Sequence, residues 1–328
     1  METVELDIES LAYRGAGVGR RDGIVYFVLF TCPGDHISAE VTRKDSRFRE
    51  ARLKEILQPS PYRTEPLCRL FGRCGSCSFQ HVAYDTQVRE KIAMVSDAVH
   101  SSIPLPERGV EAVASPLAYG YRGTARFAVA PSGRLGFRMQ KSDTVIEVEH
   151  CPILCEPLDV HIDVVNRHIE RIPVKPLEVE LTVAEDDSVH ESFHFPDVPF
   201  DPGFTQANRG VNALLKAAVL KEVCTHAADI GGIRVLDLYA GDGNLSLPLA
   251  SLAERISGYD ASHTSIRKAM ETVREQGYRN VSYTVQKVEE ALKTIKVSEY
   301  TCVVADPPRG GLSGGQVPVA KILAMSGI

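Results

Sequence analysis

The chain has 328 residues, 44% of them hydrophobic, and a net charge of −6. That length calls for two or three cores rather than one, and an acidic balance gives no whole-chain support to a nucleic-acid partner, although local basic faces decide such binding. The opening METVELDIES alternates acidic and apolar residues, so it is neither a basic leader nor the start of a membrane span. Eight clustered cysteines suit a reducing compartment with free thiolates rather than a disulfide framework. A soluble cytoplasmic protein is expected.

Residues 1–60 carry the short alternating runs VELDIESL, IVYFVLF and HISAEVTR, separated by the turns RGAGVGRRDG and CPGD, which is the spacing of a small β-barrel. Arg14, Arg20 and Arg21 crowd one glycine-rich turn, and Arg43, Lys44, Arg47, Arg49 and Arg52 follow the strand VTRKDSRFREARLKEIL. These cations read either as a phosphate-contacting surface or as a solvated face whose charge the nearby Asp and Glu nearly cancel. The three prolines of QPSPYRTEPLC mark a boundary.

Residues 61–200 begin with LCRLFGRCGSCSFQH, where Cys68, Cys74 and Cys77 are spaced C-x5-C-x2-C, and a fourth cysteine, Cys151, lies in EHCPIL. Four thiolates suit an iron–sulfur cluster, and a loop broken by Gly72 and Gly75 lets three of them face one centre. Zinc also accepts four thiolates, usually from two close pairs; the three-plus-one split favours the cluster, while spacing alone does not choose the metal. A helix is expected over residues 85–100 with Val88, Ile92, Val95 and Val99 on one face. A β-meander follows in TARFAVA, RLGFRMQ and TVIEVEH, with Arg122, Arg126, Arg134, Arg138 and Lys141 on or beside it, then the pair LEVELTVA and VHESFHF. Because Cys151 ends the third meander strand, a metal would staple the cysteine loop to the sheet, so a structural role stands at least level with a redox one.

Residues 201–328 alternate helix and strand: GVNALLKAAVLKEVCTHA, RVLDLY, a helix NLSLPLASLA, ISGYD, HTSIRKAMETVREQG, VSYTVQ, a short helix, and YTCVVAD. This is the pattern of a parallel, doubly wound sheet. Gly241 and Gly243 follow the first strand, where a ligand can lie against bare backbone, and Asp260 ends the second, placed to accept hydrogen bonds from two ribose hydroxyls. No third glycine follows in Asn244-Leu245-Ser246-Leu247, so a pyrophosphate pocket is not expected, and S-adenosylmethionine suits the site better than a nicotinamide dinucleotide. The fourth strand ends in Asp306-Pro307-Pro308-Arg309-Gly310-Gly311, whose prolines hold Asp306 toward the cleft. The fold class is α/β multidomain: an OB-like barrel, a central β-rich segment and a Rossmann-like methyltransferase sheet.

With C-x5-C-G-x-C-x2-QH, YRGTARFAV, HCP, FTQAN, DLYAGDGN and DPPRGG in order, the chain resembles the RNA uracil-5-methyltransferase family, in particular its 23S ribosomal RNA branch with an N-terminal TRAM barrel and a [4Fe-4S] cluster. The resemblance implies that Cys68, Cys74, Cys77 and Cys151 hold the cluster, and that Gln206, Tyr239, Asn244, Asp260 and Asp306 contact S-adenosyl-L-methionine, with Phe204 beside them. Lys287 departs from the polar or acidic residue that similar proteins have near the adenine. The implied partner is 23S ribosomal RNA, with no membrane and no obligate protein partner. In the family a cysteine thiolate adds to carbon 6 of uracil, the enolate takes the methyl group, and a glutamate removes the proton from carbon 5. The family's Ser-Cys-Asn-Pro and His-Val-Glu motifs do not occur before Ile328, and Cys32, Cys155, Cys224 and Cys302 read as buried, structural or bystanding thiols. These residues alone are therefore expected not to methylate RNA. A non-catalytic RNA-binding iron–sulfur protein is the second reading, and a nicotinamide oxidoreductase a third.

Overall fold

The structure is a computed structural model and describes residues 2–100, 109–184, 186–198, 201, 203–227 and 232–308. Backbone contacts divide the chain into two units, Met1–Tyr121 with Arg126–Phe193, and Arg122–Ala125 with His194–Ile328.

In the first unit, strict alternation makes the barrel. Along β1 (Thr3–Leu11), Val4, Leu6 and Ile8 are buried while Glu5, Asp7 and Glu9 face out. The inward residues meet Val28 and Ile37 from β3 (Ile24–Leu29) and β4 (His36–Lys44). With β2 (Ala16–Arg21) and β5 (Phe48–Gln58), the strands close in the order β1-β2-β3-β5-β4. The β3–β5 pair is parallel, and the other pairs are antiparallel. The stretch read as one strand, VTRKDSRFREARLKEIL, is two. Asp45 turns the chain, its carboxylate accepting from the Arg47 amide at 3.3 Å while its own amide donates to the Phe48 carbonyl at 3.0 Å, an aspartate-centred turn that the two basic runs on either side conceal.

Helix α1 (Tyr84–His100) starts one residue before its expected place. The meander forms as β6 (Thr124–Val129), β7 (Leu135–Arg138) and β8 (Val145–Glu147), with Phe127 stacked on Phe137 at 4.8 Å between ring centres. A helix absent from the sequence reading follows: α2 (Glu156–Arg171), which buries Leu158, Ile162, Val165 and Ile169 at helical spacing and packs on β7 and on β9 (Glu178–Val183). With β10 (Val189–His194) the sheet order is β10-β9-β6-β7-β8.

In the second unit, α3 (Arg209–Ala227) precedes four parallel strands: β11 (Arg234–Leu238), β12 (Arg255–Asp260), β13 (Val281–Val285) and β14 (Cys302–Ala305). Helix α4 (His263–Glu275) lies between β12 and β13 in the chain. The order β13-β12-β11-β14 reverses direction at β11, which opens a crevice outside its carboxyl end. The expected helix NLSLPLASLA is instead a set of tight turns around a single 3-10 turn, Leu247–Leu249. Pro248 has no amide to donate back to Asn244, which interrupts the helical ladder there. Among the described residues no helix is long and apolar enough to cross a membrane.

Candidate functional site

Strand β11 carries one carboxylate among apolar neighbours. Asp237 is 3% exposed and accepts a hydrogen bond from the Ser246 hydroxyl, which meets the Tyr283 hydroxyl at 2.8 Å. Burial pushes its carboxyl up to about 7; the Ser246 hydrogen bond opposes this, and the charges of Asp260, Asp306 and Asp242 add to it. Four carboxylates thus gather about the carboxyl ends of β11, β12 and β14, an electrostatic setting that favours a cationic ligand.

The loop after β11 is forced into left-handed backbone. Tyr239 has φ +63°, which strains a residue with a side chain, and Gly241 has φ +56°. A Cβ at Gly241 would meet nothing within 4 Å, so its backbone faces open space. The Gly241 amide donates to Asp260 Oδ2 at 3.0 Å, and the Ser262 amide donates to Asp260 Oδ1 at 2.8 Å. The carboxylate is held across two strand ends, and each oxygen keeps a lone pair for a further donor. The Tyr239 hydroxyl donates to Glu289 Oε1 at 3.1 Å, at the first turn of the short helix Val288–Ala291, for which Lys287 is the N-cap residue.

Asn244 and Asn212 of α3 exchange reciprocal amide hydrogen bonds of 2.8 and 2.9 Å, so Asn244 first ties the loop to α3. Gln206 is half-buried in the segment leading to α3, where Ala207 accepts from the Gly123 amide at 2.8 Å and Asn208 caps the helix. Phe204 is 65% exposed. Asp306 is exposed just past β14, followed by Pro307 and Pro308; Arg309, Gly310 and Gly311 lie outside the described residues.

In the first unit, Cys68, Cys74, Cys77 and Cys151 line one enclosed pocket with Phe137 and Val148. The Cys68 amide donates to Gln80 Oε1 at 3.1 Å, the Cys74 amide to the Leu70 carbonyl at 2.9 Å, and the Gly75 amide to the Arg138 carbonyl at 3.0 Å. A Cβ at Gly75 would sit 3.1 Å from that carbonyl, which is why the loop can lie against the end of β7. The Cys151 amide donates to Asp159 Oδ1 at 2.6 Å. Burial pushes the Cys151 thiol up to about 11, with Cys77 and Cys68 adding to it; a bound cation is what would deprotonate such a group. Cys155 instead stands at the N-cap of α2, its carbonyl accepting from the Leu158 and Asp159 amides. The pocket holds about 20 Å³, and among the described residues no three ligating side chains clasp an ion as they stand. The donor chemistry, four thiols on two chain segments, fits a tetrathiolate centre.

A family model described as a methyltransferase domain matches residues 230–306. The chain is 32% identical over 314 residues, 94% of its own length and 78% of the other's, to an RNA methyltransferase, Bd3828, of Bdellovibrio bacteriovorus. The chain belongs to the RNA uracil-5-methyltransferase family. It is 28% identical, over 93% of this chain and 80% of the relative, to the 23S rRNA (uracil(1939)-C(5))-methyltransferase RlmD of Marinomonas sp.. In fold it is similar to the Pyrococcus abyssi tRNA (uracil-54, C5)-methyltransferase, crystallised with S-adenosyl-L-homocysteine, with a TM-score of 0.73, 20% identity, and 98% of this chain and 87% of that one covered.

Several residues of this strand-end cluster escaped the sequence reading. Asp237 carried a signal, a lone charge inside RVLDLY, which buried strands do not accept without a partner. Ser246, Tyr283, Asn212 and Glu289 carried none, since each joins the site through a partner 9 to 50 residues away in the chain.

Proposed function

We propose that this chain binds S-adenosyl-L-methionine at the strand ends around Gly241 and Asp260, and serves methylation of carbon 5 of a uridine in 23S ribosomal RNA. The observation that carries this is the Asp260 carboxylate, fixed by the Gly241 and Ser262 amides beside open backbone and among further carboxylates. When bound, S-adenosylmethionine supplies a methyl group on a positively charged sulfur. Asp260 accepts from the two ribose hydroxyls, and Gly241 lets the ligand approach the backbone. Tyr239, Asn244, Gln206 and Asp306 border donor and target, and the acidic cleft favours the sulfonium charge. The uridine reaches this crevice only out of its stack, which suits loops of folded RNA.

The covalent step asks for a thiolate at carbon 6 of the base. Of the eight cysteines, four line the first-unit pocket, Cys32 is buried near Ser60, Cys155 is the N-cap residue of α2, Cys302 lies within β14, and Cys224 is exposed on α3, away from the strand-end loops that carry Gly241 and Asp260 in the chain. The proposal is therefore donor binding without methyl transfer by these 328 residues alone. Cys68, Cys74, Cys77 and Cys151 would hold a [4Fe-4S] cluster that ties the cysteine loop to the meander, and the barrel would be a TRAM-like RNA-binding module in a cytoplasmic protein.

Calorimetric titration with S-adenosylmethionine tests the site. The parent chain binds, and Asp260→Ala, which removes both acceptors, weakens binding by at least about tenfold, as expected for loss of hydrogen bonds to a charged group. Equal affinity in the variant overturns the assignment. Labelled methyl incorporated into 23S RNA by the parent would overturn the statement on transfer.

A further inference from the structure

A second cavity, of about 530 Å³, lies wholly within the first unit, lined by Phe30, Leu53, Ile56, Arg63, Phe71 and His81 among others. That volume is in the usual range for ligand sites, roughly 300–1,000 Å³. We propose that it takes one unstacked nucleobase of the RNA, from a nucleotide other than the one methylated; this rests on the RNA reading above.

The walls offer flat aromatic surface. The Phe30 and Phe71 rings are 5.7 Å apart at 80°, and the His81 ring lies 5.4 Å from Phe71, tilted by 35°. Phe30 has φ +65°, a strained backbone conformation for a phenylalanine that the surrounding structure has to hold.

The polar groups are arranged for a neutral, edge-on partner. Fully buried Asp35 grips Arg63 in a two-point pair, with Nε to Oδ1 and Nη2 to Oδ2 both at 2.8 Å, and Nη2 also donates to the Phe30 carbonyl at 2.8 Å. The guanidinium is thereby fixed and neutralised, and its Nη1 hydrogens have no partner among the described residues. His81, 3% exposed, lies 3.0 Å through Nε2 from the Thr31 carbonyl, so Nε2 donates and Nδ1 is left as an acceptor, buried and without a partner. A fixed donor and an orphaned acceptor beside aromatic faces match a nucleobase, whose edge carries both an acceptor and an N–H donor. An anionic ligand would gain little, because Asp35 already balances Arg63.

The flanking charge fits a nucleotide chain. Arg69 and Arg73, two residues on either side of Phe71, are exposed and form no ion pair among the described residues. By contrast, Arg20, Arg43 and Arg52 on the barrel are matched by Glu9, Glu50 and Glu40.

The test is fluorescence anisotropy with a single-stranded RNA containing 4-thiouridine, followed by photocrosslinking and peptide mapping. Phe71→Leu keeps apolar volume and removes the aromatic face; it is expected to weaken RNA binding roughly tenfold, with Phe71→Tyr restoring it, because base–aromatic stacking is sequence-tolerant and lost on truncation. Crosslinks are expected on peptides carrying Phe30 or residues 63–81. Parent-like binding by Phe71→Leu, with crosslinks elsewhere, overturns the pocket and leaves the RNA reading standing. Failure of the parent chain to bind RNA overturns that reading itself and the pocket with it. Iron content and the thermal transition, measured on each variant, separate a lost base contact from a disturbed cysteine loop.

Discussion

Asp237 ties the stability of the second unit to pH. A carboxylate that titrates near 3.8 in the unfolded chain is pushed to about 7 in the fold, by burial first and then by Asp260, Asp306 and Asp242. Between those values the folded state keeps a proton that the unfolded state has released, so stability falls as pH rises through that window, and the cost is fully present above pH 7. Its size is on the order of a few kcal/mol. Asp237→Asn retains an acceptor for the Ser246 hydroxyl and has no charge to bury. The variant's advantage over the parent is expected to be small at pH 5, where the window has only begun, and several-fold larger at pH 8, read from urea unfolding followed by circular dichroism. A parent and variant with the same difference between the two pH values would show that Asp237 does not titrate in this way.

Between β7 and β8 the spacing is set by a glycine, and the consequence reaches the cysteine pocket. A Cβ at Gly136 would fall 2.2 Å from the Ile146 carbonyl, a backbone atom of the paired strand, so Gly136→Ala must push β8 away. The chain then runs from β8 through Val148, whose amide donates to the Leu135 carbonyl at 3.0 Å, to Cys151. Overpacking of this kind costs about 1–3 kcal/mol, and under the proposed cluster assignment bound iron per chain is expected to fall well below that of the parent, measured by metal analysis after anaerobic purification. Retention of full iron would uncouple Cys151 from the strand pairing. Elements of this sort were legible to unequal degrees. The barrel was readable because Val4, Leu6 and Ile8 alternate with acids, and the strand ends were readable because glycines and an acid mark them. Helix α2 was not read, although Leu158, Ile162, Val165 and Ile169 recur at helical spacing, because it follows directly on HCPIL, where the cysteines dominate the pattern. The turn at Asp45 and the interrupted helix at Pro248 were each misread by extending a periodicity through the one residue that breaks it.

For the whole molecule, a net charge of −6 opposes any polyanion, so RNA affinity has to come from cations that the fold leaves uncompensated. Many of the arginines that looked basic in the sequence are spent internally: Arg20, Arg43 and Arg52 on barrel glutamates, Arg21 on Asp22, Arg126 on Glu180, Arg134 on Glu147 and Glu149, and Arg138 on Glu178 and Asp143. In the first unit Arg14, Arg47, Arg69 and Arg73 are exposed and meet no carboxylate among the described residues. If these four contact phosphates, the logarithm of RNA affinity should fall against the logarithm of salt concentration with a slope of roughly −3 for a single strand. Neutralising Arg69 and Arg73 together as Arg69→Gln and Arg73→Gln should bring it to about half that value, whereas Arg43→Gln or Arg52→Gln should leave it nearly unchanged. Titrations at ~50 to ~200 mM salt read these slopes directly. The reverse result, a slope that falls with Arg43 or Arg52 and not with Arg69 and Arg73, would mean that the barrel ion pairs open on binding and that the barrel carries the phosphate contacts in place of the cysteine loop.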